Sequence, residues 1–319
     1  MFLVPLLRAA WRPLGVAAAC LLVLASSACS RVNETSAVAF GRPERIVAAS
    51  ATAVDVVVAL AGLERMVGVP EQALEYSVLH QGRPEPRAIV RFEAYLAEPV
   101  LALRPDLVVI DPWQAPETTA QLQSAGVLVL TLPTVRSFED ARQALVLASG
   151  VLADAELASR ALADFDRRLA ALRARGRQRE LRGLAYSNFG GAGSTAGKHT
   201  TIDALFEVLG IENQIAQRGT VGHAGITFED LLALNPDLIL VSEPLRMGEG
   251  PSGDRGGAAE RILRGEPSLA GLRAVREDRI LSLPAWLFAT GSHELVTAAE
   301  ELARRVEQLE LRLAERRSR

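Results

Sequence analysis

The sequence predicts an α/β chain of two parallel-sheet lobes joined by one long helix, and three observations carry that expectation. The first is an internal echo. Glu98–Asp111, "EPVLALRPDLVVID", returns at Glu229–Ser242 as "EDLLALNPDLILVS", and both copies read Glu-x-x-Leu-Ala-Leu-x-Pro-Asp-Leu. Each copy is one physical unit. A short helix buries its leucines, and the proline, which lacks an N–H, ends it. An apolar run rich in Val, Ile and Leu then reads as a strand covered on both faces. The second observation is that strand-like and helix-like segments alternate through both halves, the pattern of parallel sheets with ligands at strand carboxyl ends. The third is a long amphipathic stretch between the halves.

In the first half, Arg45–Ser50 reads as a strand, Ala51–Leu63 as a helix ending at Gly62, and Arg65–Val69 as a strand. After the first copy of the echo come a helix over Pro116–Ala125 and a strand over Val127–Leu132. Ser137, with Glu139 and Asp140 behind it, caps a helical region that is acidic in its first turn. Leu157, Ala161, Phe165, Leu169 and Leu172 then repeat down one helical face. A helix from Asp154 to Arg175 would be about 33 Å long, too long for a crossover within one small lobe, so it reads as a strut between lobes. In the second half, Leu181–Ser187 is a strand, Thr201–Leu209 a helix, Arg279–Leu283 a strand, and a final helix starts near Ser292. The glycine-rich patch Gly248–Gly257 reads as a surface loop. The expected divisions are residues 44–135 for the first lobe, 136–178 for the helical connection and 179–312 for the second lobe.

The first residues add a location. Arg8 and Arg12 precede an uncharged run from Pro13 to Ser30, and a basic segment followed by an apolar one and small residues makes an export signal over residues 1–28. Ser26-Ser27-Ala28 before Cys29 resembles the lipobox of bacterial lipoproteins, in which that cysteine is lipidated and becomes the amino terminus, with residues 29–43 as a tether. A plain secretory signal and an uncleaved anchor fit the same segment, because eighteen uncharged residues approach the ~20 that span a bilayer. The other cysteine, Cys20, lies inside the apolar run, so the exported part has no disulfide framework. The net charge is −3 with arginine and acidic residues interspersed, which leaves no basic footprint for nucleic acid. Lys198 is the sole lysine.

That lysine sits in "GGAGSTAGKHTTID", Gly190–Asp203, which has the look of a phosphate loop. A phosphate loop needs a glycine five positions before the glycine of Gly-Lys and a hydroxyl residue after the lysine. Here those places hold Ala192 and His199, and the aspartate-ended run Leu107–Asp111 precedes the loop instead of following it. The nucleotide reading fails, and the glycines need another reason.

"RIVAASATAVDVVVALAGLERMVGV", the two echoed phrases, "AGKHTTIDALFEVLG" and "REDRILSLPAWLFATGSHELVTAAEELA" together resemble the substrate-binding proteins of ABC importers that capture cobalamin, haem and ferric siderophores. The resemblance covers roughly Pro43 to Glu307. It implies two Rossmann-like lobes, a rigid interdomain helix, little closure, and a ligand in the cleft between lobes. The chain would then be a monomer without a cofactor of its own, whose ligand contains Fe or Co. It would be exported, periplasmic or cell-surface, held to the membrane by its lipid, and would deliver the ligand to a permease dimer with its ATPase.

Candidate ligand contacts follow from position. Phe92 and His223 stand at the same distance before the two echoed glutamates, where the family often places a ligand-contacting residue, and Arg91 would suit an anionic ferric complex. Trp113 and Trp286 each follow the carboxyl end of a strand, and indole faces suit flat corrin, porphyrin or catechol ligands. The residue before Trp286 is Ala285, where the cobalamin binders have an acidic group. His80, His199, His223 and His293 fall in loops or at helix starts, and an imidazole there would ligate haem iron or hydrogen-bond a chelate. Tyr76 and Tyr186 complete the set. The histidines lack His-x-x-x-His spacing, so no dedicated metal site is expected. By the resemblance, Glu98 and Glu229 dock on the two permease subunits; the simpler account is that each carboxylate meets the positive end of a helix dipole.

Two other classes compete. An exported hydrolase would need an activated nucleophile, yet the surroundings of Ser194 are not Gly-x-Ser-x-Gly. A structural or metal-chaperone lipoprotein would bind no small molecule.

Overall fold

The computed structural model describes residues 42–81, 89–175, 179–189, 192–243 and 257–318. The first lobe runs β1 (Ile46–Ala48), α1 (Ala51–Ala61), β2 (Met66–Pro70), α2 (Ala73–Tyr76), β3 (Val90–Phe92), α3 (Ala97–Ala102), β4 (Leu107–Ile110), α4 (Pro116–Ser124) and β5 (Leu128–Thr131). Its sheet has the order β3-β2-β1-β4-β5, and every pairing is parallel. The central strands β1 and β4 are buried at every position, as their unbroken apolar runs require. At the edge, β5 is partly exposed.

Two helices follow, α5 (Phe138–Leu152) and α6 (Ala155–Arg175). Ser137 caps α5 by accepting the Asp140 N–H at 3.1 Å, and Asp154 caps α6 by accepting from Leu157 at 2.7 Å. The second lobe contains β6 (Arg182–Ala185), β7 (Ser187–Phe189), β8 (Ala192–Ala196), α7 (Thr201–Val208), β9 (Glu212–Asn213), α8 (Gln214–Gln217), β10 (His223–Gly225), α9 (Phe228–Leu234) and β11 (Leu238–Ser242). It continues with α10 (Ala258–Gly265), α11 (Arg273–Arg276), β12 (Ile280–Leu283), α12 (Ala285–Phe288) and α13 (Leu295–Arg317). The parallel sheet here is β12-β11-β6-β9, and a separate antiparallel sheet has the order β10-β8-β7.

The echoed phrase has a structural cause. Arg104 and Asn235, each just before the proline, both have left-handed backbone, with φ of 48° and 40°. The turn they make delivers the next aspartate to the first strand of its own lobe. Asp106 accepts the backbone N–H groups of Glu44 at 2.8 Å and Arg45 at 3.1 Å, and its own N–H donates to the Arg45 carbonyl at 3.0 Å. Asp237 does the same with Arg182, at 3.1 and 2.8 Å. The Pro-Asp pair therefore staples β4 to β1 in one lobe and β11 to β6 in the other, and an apolar side chain there would leave those amides without their side-chain acceptors.

The long helix α6 is where its apolar periodicity puts it, but it does not span the lobes alone. One continuous apolar core joins Ile46 and Ala48 of β1, Phe165 and Leu169 of α6, Leu205 and Phe206 of α7, Leu281 of β12 and Leu302 of α13. Arg168 of α6 also holds Glu300 at 3.0 Å and Thr297 at 2.9 Å on α13.

Among its described residues, the glycine-rich stretch Gly190–Asp203 holds β8, the approach to α7 and the start of that helix. Its glycines answer to packing. A Cβ at Gly193 would collide with the Ile226 carbonyl oxygen, and one at Gly197 with that of Thr220, so β8 lies against the β10 segment only because both positions are bare. The patch 248–257, apart from Gly257 at the start of α10, lies outside the described residues.

Candidate ligand-binding site

In the first sheet the strand order reverses between β1 and β4. The chain leaves these neighbours toward opposite flanks, which opens a crevice at their carboxyl ends. A cavity of about 200 Å³ occupies it. Ser50, Thr52 and Asp55 line it from the β1–α1 side, Asp111, Trp113 and Gln114 from the end of β4, Gln72 from just before α2 and Tyr76 from its last turn. Ala289 and Gly291 close it from the segment between β12 and α13. That volume is below the ~300–1,000 Å³ of common ligand pockets, so a ligand the size of a chelate would extend past these residues.

The segment between β12 and α13 reaches across from the second lobe. Trp286 stacks on His80, their ring centroids 4.4 Å apart at 25°. Ser292 donates its hydroxyl hydrogen bond to Asp55 at 2.7 Å, and Asp55 also accepts the Val78 N–H at 2.8 Å. The cavity floor is thus built by both lobes, and Asp55 is the polar tie between them.

Burial dominates the electrostatics of that floor. Asp55 is 2 % exposed, and desolvation pushes its pKa up to about 8 against the lowering effect of its two hydrogen bonds. Asp111, 1 % exposed, is pushed up to about 6 by the same cause, opposed by Ser50 and Thr52. Its Oδ1 has no hydrogen-bond partner among the described residues. Burial also raises Tyr76, with Glu75 adding to the effect.

Of the residues expected to meet a ligand, Trp113 and Tyr76 come together in this cavity, and Trp113 is 64 % exposed. Others lie elsewhere. Phe92 is buried in the satellite core on the other side of the first sheet, with Val47, Val100 and Val108; it ends an edge strand and turns inward, so it packs. Trp286 is buried in the main core, where its ring is spent on His80. Tyr186 is wholly buried, within reach of the Asn188 amide at 3.3 Å. Arg91 is exposed on β3, and His223 is exposed on β10 opposite Ala196. His199 is exposed with φ of 60° just before α7. His293 packs beside Glu294 at 3.5 Å, and desolvation holds its imidazole below its usual pKa. Glu98 and Glu229 are both exposed in the first turns of α3 and α9. Cys29 lies outside the described residues. Among the described residues no cluster of His, Cys, Asp or Glu is arranged to hold a metal ion.

The sequence reading missed Asp55, Asp111, Thr52 and Gln114. A signal was present: Asp55 interrupts the apolar helix "ATAVDVVVAL" and Asp111 closes an apolar strand. A carboxylate in such a run is either paired or perturbed once buried.

The profile of the family described as "Periplasmic binding protein" matches residues 46–287. Among solved structures, a periplasmic haem-binding protein from Pseudomonas aeruginosa is 30% identical, with a TM-score of 0.64 over 82% of this chain and 91% of that one. The periplasmic haem-binding protein RhuT from Roseiflexus sp. RS-1 is 24% identical, with a TM-score of 0.68 over 82% and 97%. The vitamin B12-binding protein BtuF of Vibrio cholerae is 20% identical, with a TM-score of 0.62 over 84% and 98%. The last two likenesses speak for the fold alone. No curated protein matches the sequence significantly. With its profile running from β1 of the first lobe to α12 of the second, the chain belongs to the periplasmic binding protein family.

Proposed function

We propose that this protein is the solute-capturing component of an ABC-type importer and that its solute is a metal chelate: haem, a ferric siderophore or a corrinoid. The observation that carries the reading is the crevice at the switch point of the first sheet, walled by both lobes and bearing an exposed indole beside a phenol. Trp113 offers a flat apolar face to a planar or catechol-like ligand. Tyr76 supplies a phenol oxygen of the kind that ligates haem iron. The 30%-identical haem-binding relative supports the same class. In this reading the protein turns nothing over, residues 1–28 direct export, a lipid on Cys29 holds it to the membrane, and Glu98 and Glu229 meet the permease.

The test is a titration of the purified protein with haemin, a corrinoid and a ferric trihydroxamate, followed by absorption spectra and tryptophan fluorescence. One of them should saturate at one equivalent, and Tyr76→Phe or Trp113→Ala should weaken it at least tenfold. No saturable change with any of the three would overturn the reading.

A further inference from the structure

We infer that the cavity floor is a subsite for a protonated amine on the cargo, seated between the Asp111 carboxylate and the rings of Trp113 and Tyr76. This rests on the chelate reading and narrows it to cargo that is cationic at one end.

Three observations converge. The Asp111 side chain lines the cavity while 1 % exposed, and its Oδ1 has no partner among the described residues. A buried acceptor left unmade is costly, so a ligand donor arriving there gains that interaction in full. The described lining contains two carboxyls, Asp55 and Asp111, and neither Lys nor Arg. An anionic group such as a propionate or citrate would meet repulsion on this floor and no counter-charge. Finally, two aromatic rings share the cavity with the carboxyl, and an ammonium is attracted to ring faces as well as to a carboxylate. An ammonium carries three donors: one answers Oδ1, and the Gln72 and Gln114 side chains border the same space.

The site is also proton-linked, with a fixed sign. Asp111, near 6, is ionised at pH 7.5 and becomes neutral as pH falls below that value, while the amine stays charged. The groups around it are Asp55 of α1, which holds its proton to about 8, Glu294 acting on Asp55, the neutral Ser50 and Thr52, and Tyr76 of α2 beside Glu75. His293, beside Glu294, is the basic group of this cluster, and burial holds its pKa down so that it resists gaining a charge as the pH falls.

The experiment compares a linear ferric trihydroxamate ending in a primary amine with the same chelate acetylated on that amine, titrated into the intact protein by tryptophan fluorescence. At pH 7.5 the amine form should bind at least tenfold more tightly. The preference should fall below threefold in Asp111→Asn, and below threefold in the unaltered protein at pH 5. Equal affinities at pH 7.5, or a preference kept at pH 5, would overturn the subsite and leave the chelate reading standing. So would binding of haemin or the corrinoid with neither trihydroxamate bound. Absence of binding by every chelate would overturn both. The pH series uses no substitution, so it decides the matter even if Asp111→Asn does not fold.

Discussion

Asp55 ties the lobes together at an energetic cost that depends on pH, and replacing it by asparagine should expose that cost. The carboxyl is raised from 3.8 to about 8, first by desolvation. At pH 7 it is therefore protonated in the folded protein and ionised in the unfolded chain. The linked penalty is about 1.36 kcal/mol for each of the roughly three pH units between 3.8 and 7, or ~4 kcal/mol. Against a typical total of ~5–15 kcal/mol, that is a large share. Because the folded pKa is raised, this contribution is harmless below pH ~4 and destabilises progressively as pH rises toward 8. Asparagine keeps the geometry: its carbonyl accepts the Val78 N–H and its amide faces the Ser292 hydroxyl, which turns to accept. Urea unfolding followed by circular dichroism from pH 4 to 8 should show Asp55→Asn close to the unaltered protein at pH 4 and ahead by ~4 kcal/mol at pH 7. A difference that does not change with pH, or a variant less stable at pH 7, would refute the reasoning.

Other expectations follow from burial and exposure. Trp286→Ala should cost ~3–5 kcal/mol of stability, as for a truncated core aromatic, whereas Trp113→Ala should leave the melting temperature within about 2 °C; equal losses would contradict their placement. Small-angle scattering with and without ligand should give nearly superimposable curves, since a core continuous through both lobes resists hinge closure; marked compaction would count against it. Glu98→Ala with Glu229→Ala should preserve chelate affinity in solution and abolish uptake in cells, while normal uptake would return both residues to helix-dipole duty. Cys29→Ser should release the protein from the membrane fraction and remove a lipid mass; an unchanged distribution would dismiss the anchor.

Local physics was readable along the chain. The runs Ile46–Ala48, Leu107–Ile110 and Leu238–Ser242 are strands because continuous β-branched and leucine runs belong inside a sheet. The period of Leu157 to Leu172 placed α6 within one residue of its start, and Ser137 placed the start of α5. The Pro-Asp echo foretold paired lobes, and the apolar run before Trp113 placed that residue just past the carboxyl end of a strand. Tertiary structure decided the site, because its questions concern which face a side chain turns to and what arrives from elsewhere in the chain. Phe92 and Trp286 are aromatic residues at strand ends, as a ligand contact would be, yet one turns into a satellite core and the other meets His80 from another lobe. The glycines near Lys198 were legible as bare backbone, but only the approach of Ile226 and Thr220 shows what they admit. Asp55 and Asp111 lie far apart in sequence. They share one cavity because β1 and β4 are neighbours in the sheet, and strand order is set by long-range pairing that no local pattern encodes.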